Sequence, residues 1–399
     1  MSFITELPEK WQALWQQKGF SEPSIIQSQT YHPLKAGQNL LGISPTGSGK
    51  TLAYLLPSLQ KVTTGQGMQL LILTSSQELS IQVFEVAKEW GEALGLKTQA
   101  VIGGANVKRQ IDKLKERPEV LVGTPGRVLE LIKQKKIKAH QIQTLIFDEA
   151  DQLLGEVLPQ QIIKTVNQQS QFAFFSATGQ KVIAEVKELR PDIQIIDVSQ
   201  NDQSTSGLEH YYLKVTPRKR GEELRRLANV SEMQSLVFFN ELSDLGDAEE
   251  KLLYRQLPVA SLASDQNKLL RKAAIENFKK QQLTLLLTTD LAARGLDIEN
   301  LPLVINYDIP TSEESYLHRA GRTGRMGKKG QVITFVHEGN FRDYQRLLKS
   351  VGVEGQEIFL YGAALHHEAS AENKQRSEQN KKNNQKGINK GRKKVRKLK

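Results

Sequence analysis

Short apolar runs at 40–43, 70–73, 99–102, 120–122, 145–147 and 173–175 alternate along the chain with longer amphipathic stretches. A run that is apolar at consecutive positions suits a strand covered on both faces, and the intervening stretches have helical periodicity. The segment therefore reads as repeated βαβ units on a parallel sheet. Residues 197–207 (DVSQNDQSTSG) are polar and unpatterned, as a linker is. The alternation then restarts, with strands predicted at 211–215, 236–239, 259–262, 283–287, 304–307 and 331–336, and a helix over 267–280. Beyond residue 365 the pattern ends and Lys, Asn, Gln and Arg dominate. The expected organisation is two tandem α/β domains with mostly parallel sheets, 1–197 and 207–365, a linker at 198–206, and a disordered basic tail, 366–399. No short-period repeat occurs, which excludes a solenoid or propeller.

Composition changes this picture in one respect. The 399 residues are 38% apolar and 25% charged, ordinary globular usage, with 55 Lys and Arg against 44 Asp and Glu, a net charge of +11. Residues 366–399 hold twelve Lys and Arg against three Glu, so +9 of that charge sits in the tail and only +2 in the body. An anionic partner follows, with the tail as its non-specific tether. The absence of cysteine excludes disulfides, thiolate-bound zinc and thiol catalysis. The first ten residues include Glu6, Pro8 and Glu9 and show no apolar leader, and no apolar run approaches the length of a membrane span. The expectation is a soluble cytoplasmic protein with no membrane partner.

The chemistry starts at SPTGSGKT, residues 44–51, between a predicted strand and a predicted helix. There Gly47 and Gly49 let backbone N–H groups curl around phosphates, Lys50 meets the β and γ phosphates, and Thr51 can bind Mg²⁺. The strict pattern has Gly where this chain has Ser44. At the end of the apolar run 145–147, Asp148 can hold the metal and Glu149 can orient and deprotonate a water. Alone, DEAD would read as an acidic helix start; beside a phosphate loop it reads as the second half of a nucleotide site.

Further motifs follow in order: TPGR at 124–127, DEAD at 148–151, SAT at 176–178, TTDLAARGLD at 288–297 and HRAGRTGR at 318–325. Their combination and spacing resemble the DEAD-box RNA helicases of superfamily 2, from about residue 3 to about residue 365. The resemblance implies two RecA-like domains, ATP and Mg²⁺ as cofactors, and RNA as partner. It implies that GFSEPSIIQ is an adenine motif, with Phe20 stacking on the base and Gln27 pairing with its Hoogsteen edge, and that Ser44, Pro45, Thr46, Gly47, Ser48, Gly49, Lys50 and Thr51 hold the phosphates. Asp297 would touch the ribose, and Thr51 and Asp148 would carry the metal. Arg322 and Arg325 would be finger arginines, with Lys50, Asp148, Glu149 and His318 completing the catalytic set. His318 would link to Asp151, Ser176 and Thr178, the residues coupling the two domains. Arg319, Arg322 and Arg325 recur every third residue, which places them on roughly one helical face.

RNA contacts in such proteins run through the backbone, and Gly103, Gly104, Thr124, Pro125, Gly126 and Arg127, with Arg271 and Thr289 from the second domain, are the matching groups. Phe3 is either an upstream aromatic of the adenine motif or a hydrophobic anchor. Two departures stand out. Where the family has PTREL this chain has SSQEL, so Ser75 replaces a proline and Gln77 an RNA-contacting arginine. Lys268 stands for a glutamine, with Gln266 close by. The expected activity is RNA-stimulated ATP hydrolysis that separates short duplexes or remodels RNA–protein complexes by closure of the two domains, with ribosome assembly, cold adaptation or RNA turnover as settings. The alternative is an ATP-gated RNA-binding assembly factor with little unwinding. A DNA translocase is disfavoured by the adenine-motif and TPGR matches.

Overall fold

The computed structural model describes residues 2–199, 207–230, 234–263, 266–293, 296, 298, 301–324 and 329–369. Most of the expected linker and the basic run from residue 370 onward, with Asp297 and Arg325, lie outside the described residues. The chain divides into two compact units. The first comprises Met1–Leu208 with Thr289–Leu301 and Thr311–Gly330; the second comprises Glu209–Thr288, Pro302–Pro310 and Gln331–Lys399.

The first unit is built on seven strands: β1 Leu40–Ile43, β2 Leu70–Leu73, β3 Thr98–Val101, β4 Val120–Gly123, β5 Thr144–Asp148, β6 Gln171–Ser176 and β7 Gln194–Asp197. Their order across the sheet is β3-β4-β2-β5-β6-β1-β7, and all six pairings are parallel. The unbroken apolar runs are explained by burial on both faces. Leu40, Leu70, Ile72, Val120, Val122, Ile146, Ala173 and Phe175 enter one core, while Leu41, Ile43, Leu71, Leu73, Leu121, Leu145, Phe147 and Phe174 enter the other. The first core also takes in the N-terminal helices, where Phe3 is 3% exposed and stacks on Tyr31 at 4.2 Å and edge-on to Trp15 at 6.3 Å. Phe3 is thus a hydrophobic anchor.

The second unit repeats the plan with β8 Leu208–Lys214, β9 Ser235–Phe239, β10 Val259–Leu262, β11 Leu285–Thr289, β12 Leu303–Asn306, β13 Gly330–Val336 and β14 Gln356–Glu357. The order is β10-β11-β9-β12-β13-β8-β14, with its core built on Val237, Phe239, Leu285, Leu287, Leu303, Ile305, Ile333 and Phe335. A two-stranded hairpin, β15 Phe359–Tyr361 and β16 Ala364–His366, follows. The strand β7 fell at the edge of the polar stretch read as linker; three of its four residues are not buried, so it leaves no apolar run in the sequence.

Strand order decides what the motifs can do. From β1 across β6, β5, β2 and β4 to β3, the carboxyl ends carry in turn the phosphate loop, SAT, DEAD, SSQEL, TPGR and the Gly103–Gly104 pair. Parallel registers such as Ile43↔Ser176, Leu73↔Phe147 and Val101↔Gly123 keep these ends level. At about 4.8 Å per strand the row spans roughly 24 Å, with the DEAD segment in its middle. Ligand sites in open parallel sheets lie along this edge.

Candidate active site and nucleic-acid interface

The phosphate loop joins β1 to the helix Lys50–Leu59. Gly47 and Gly49 hold φ of 85° and 88°, a conformation that costs glycine nothing, and Gly49 caps the helix. Lys50 Nζ donates to the carbonyls of Ser44 and Pro45, each at 2.8 Å, so its charge is held inside the loop. Ser44 explains its departure from glycine: its fully buried hydroxyl lies 2.7 Å from that of Ser48, an internal pair that occupies the extra atom. Thr51 is on the first turn of the helix, and Thr46 sits where a Cβ at Gly321 would come within 2.6 Å of its own Cβ. Part of the GFSEPSIIQ segment lies beside the loop. Ser24 and Gln27 form a reciprocal cap on the helix Ile25–Lys35, and Gln27 Nε2 donates to the Gly49 carbonyl at 3.1 Å. Phe20 is half-buried, edge-on to Trp15 at 5.1 Å.

Asp148 ends β5 and is 4% exposed. Tyr54 donates to its Oδ2 at 2.8 Å and the Glu149 backbone N–H to its Oδ1 at 3.1 Å. Burial, with the neighbouring Glu149 charge, pushes the Asp148 carboxyl up to about 6 against the pull of Tyr54 and Lys50. The Asp148 oxygens and the Thr51 hydroxyl are hard donors of the kind that would fit Mg²⁺. Glu149 holds φ 55°, strained for a residue with a side chain, and accepts a hydrogen bond from Ser75 Oγ.

One strand over, the Ser176 hydroxyl lies 2.8 Å from Asp151 Oδ1 and 2.7 Å from the Thr178 carbonyl. Asp151 Oδ2 faces His318 Nε2 at 3.4 Å, and Gln152 Nε2 lies 2.9 Å from His318 Nδ1. Burial depresses the His318 imidazolium, but the hydrogen bond and charge of Asp151 outweigh it and raise the ring above its ordinary value. Asp151 is correspondingly lowered: burial raises it, and His318 and Ser176 more than offset that. Gln152 Oε1 is buried without a partner as placed, and a half-turn of the amide lets it accept from Nδ1–H of the protonated ring. The structure therefore brings Asp151, Ser176, Thr178 and His318 together within the first unit, as grouped above.

Arg319 and Arg322 do not share a helical face. The helix Glu313–Ala320 stops before Arg322. Arg319 is fully buried in a two-pronged bond to Asp290, at 2.6 and 2.7 Å, a structural pairing. Arg322, 8% exposed, donates to the Leu296 carbonyl at 2.7 Å. The capping glycine ends the helix that a three-residue spacing alone would continue.

At the far end of the row, Arg127 pairs with Glu130 at 2.9 Å and donates to the Ala105 carbonyl at 3.3 Å, tying TPGR to the Gly103–Gly104 turn. Thr124 precedes the helix Pro125–Lys133, whose first residues include Pro125 and Gly126. Gln77 opens the helix Gln77–Glu92, and its amide lies 3.2 Å from where a Gly103 Cβ would stand. In the second unit Arg271 is on the helix Lys268–Lys279, and Thr289, which clusters with the first unit, accepts from the Ala292 N–H at 3.4 Å. Tyr54, Gln152 and Asp290 were not foreseen. Tyr54 and Gln152 lie outside the motif strings, and only their distance along the chain from Lys50 and from DEAD could have flagged them; Asp290 lies within TTDLAARGLD but was given no role there.

A phosphate loop, a carboxylate pair and a buried polar network at the carboxyl edge of a RecA-like sheet define an ATP-hydrolysing enzyme of the tandem-domain helicase class. Comparison with known proteins sharpens this. The DEAD/DEAH box helicase family matches residues 24–186, and the helicase conserved C-terminal domain matches residues 219–327. A probable ATP-dependent RNA helicase of Bacillus subtilis, YfmL, is 41% identical over 359 residues, 88% of this chain and 94% of that protein. The DEAD-box ATP-dependent RNA helicase CshC of Bacillus cereus is 36% identical over 363 residues, 89% and 93% of the two chains. Among solved structures, Dbp5 of S. cerevisiae bound to RNA and ADP BeF₃ aligns with a TM-score of 0.81 at 27% identity, over 90% of this chain and 95% of that one. The chain belongs to the DEAD-box ATP-dependent RNA helicases. Among the described residues no helix is long and apolar enough to cross a membrane.

Proposed function

We propose that the chain hydrolyses ATP at the β1–β5 end of the first sheet and grips RNA at the β4–β3 end, separating short duplexes as both ligands draw the two units together. The observation that carries this reading is the level row of motifs, with Lys50 and the buried Asp148 two strands apart and DEAD between the two ends. Lys50, Thr51 and Asp148 would hold the nucleotide phosphates and Mg²⁺, which when bound neutralises phosphoryl charge. Glu149 would take the proton of the attacking water, and His318, Asp151, Ser176 and Thr178 would relay occupancy between segments. Phe20 and Gln27 are assigned to adenine, Asp297 to ribose, and Arg322 and Arg325 to the transferring phosphoryl group. Gly103, Gly104, Thr124, Pro125, Gly126, Arg127, Arg271 and Thr289 are assigned to the RNA backbone. Ribosomal RNA or pre-ribosomal particles are the proposed targets, with the +9 tail raising local RNA concentration without reading sequence.

The test is steady-state ATP turnover with and without single-stranded RNA, on the full chain and on one ending at Leu365, alongside strand displacement. RNA-stimulated turnover with strand release supports the reading. A specific observation favours the alternative of an ATP-gated binding factor: Gln77 offers the RNA an amide, not a guanidinium, and lies over Gly103. RNA binding that follows ATP but releases no strand would favour that alternative.

A further inference from the structure

β2 and β5 are parallel neighbours with Leu73 level with Phe147, so two residues beyond each pair stand Ser75 and Glu149. The Ser75 hydroxyl donates to Glu149 Oε2 across that gap. Glutamate has three rotatable bonds, and at φ 55° its backbone departs from the ordinary region, so nothing in its own chain geometry selects one orientation for the carboxylate. The hydroxyl supplies that selection: it occupies one oxygen and leaves Oε1 for a water. Proline, which the family has here, has no O–H to give, so the contact is a property of this chain and not of the motif.

We propose that Ser75 is a positioning residue for Glu149, restraining the carboxylate so that one oxygen faces the attacking water. The proposal rests on the reading of Glu149 as the base. It acts through Glu149 alone, and Ser75 touches neither phosphate nor RNA in this role. Orientation of a reacting group governs the turnover step more than ground-state binding, so its loss shows in kcat and not in KM.

The experiment compares Ser75→Ala, Ser75→Gly, Ser75→Thr and Glu149→Gln in the full chain, with saturating ATP and single-stranded polyuridylate, and with thermal midpoints as a check on folding. Ser75→Ala and Ser75→Gly are expected to lower kcat about tenfold with KM for ATP unchanged, while Ser75→Thr, which keeps the donor, retains turnover. Wild-type kcat in Ser75→Ala overturns the proposal, as does an equal loss in Ser75→Thr or a rise in KM with kcat kept. If Glu149→Gln turns over at the wild-type rate, the base reading itself fails. If Glu149→Gln is inactive and Ser75→Ala is not impaired, only the role of Ser75 fails.

Discussion

The side-chain amide of Gln27 donates to the Gly49 carbonyl at 3.1 Å while its oxygen accepts from the Ser24 N–H at 2.9 Å, so one residue joins the start of the helix Ile25–Lys35 to the phosphate loop. Gln27→Ala removes both bonds. It is expected to raise KM for ATP several-fold, relax discrimination against GTP, and cost about 1 kcal/mol of stability through the lost cap. Competition of ATP turnover by GTP and a denaturant titration would check the two effects separately.

Lys50 is held by two loop carbonyls, so its removal changes both charge and loop closure. Lys50→Ala is expected to abolish RNA-stimulated turnover, with a fall of at least about a hundredfold, and Lys50→Arg is expected not to restore it, because the rigid guanidinium cannot replace a point charge in this loop. A phosphate-release assay at saturating RNA reads both.

The Asp151 and His318 pair makes stability depend on pH in a defined window. Asp151 is lowered in the folded chain, so its contribution is present above its unfolded value of 3.8 and lost as pH falls through the folded one. His318 is raised, so its contribution is full below 6.5 and lost as pH rises through its folded value. The pair therefore stabilises most between 3.8 and 6.5. His318→Gln is expected to lose roughly 1–3 kcal/mol there and little in alkaline solution. Thermal midpoints of the two proteins, compared across pH, should converge upward.

Arg319 is fully buried and forks onto Asp290, whose carboxylate is partly exposed and also accepts from Ser315 Oγ at 2.6 Å. Arg319→Ala is expected to destabilise by about 1.5–3 kcal/mol through the lost charged hydrogen bonds, and Arg319→Lys by a large part of that, since an ammonium cannot reproduce the fork. Denaturant unfolding of each variant measures the loss.

Phe3 packs against Tyr31 and Trp15 in the core under the N-terminal helices. Phe3→Ala is expected to cost about 3–4 kcal/mol while leaving turnover per folded molecule unchanged at low temperature. A loss of nucleotide affinity in proportion would show that the aromatic belongs to the adenine site.

Much of this protein was legible in one dimension. Strands covered on both faces leave unbroken apolar runs, which is why β1, β2, β5 and β6 were readable to within a residue or two, and why β7, partly exposed, was not. Lys50, Asp148 and Glu149 were legible because loop chemistry demands those residue types at short spacing. Arg319 and Arg322 were misread as sharing one helical face, because the turn that parts them depends on how the helix end packs and not on spacing.

Local pattern thus determined most of the elements, their parallel class and the residues proposed to hold phosphate and metal. Only the tertiary structure decided which of them meet. The order β3-β4-β2-β5-β6-β1-β7 sets Ser75 beside Glu149 across 74 residues of chain and Tyr54 beside Asp148 across 94. Hydrogen bonds between distant segments follow from strand order and register, which no local propensity encodes.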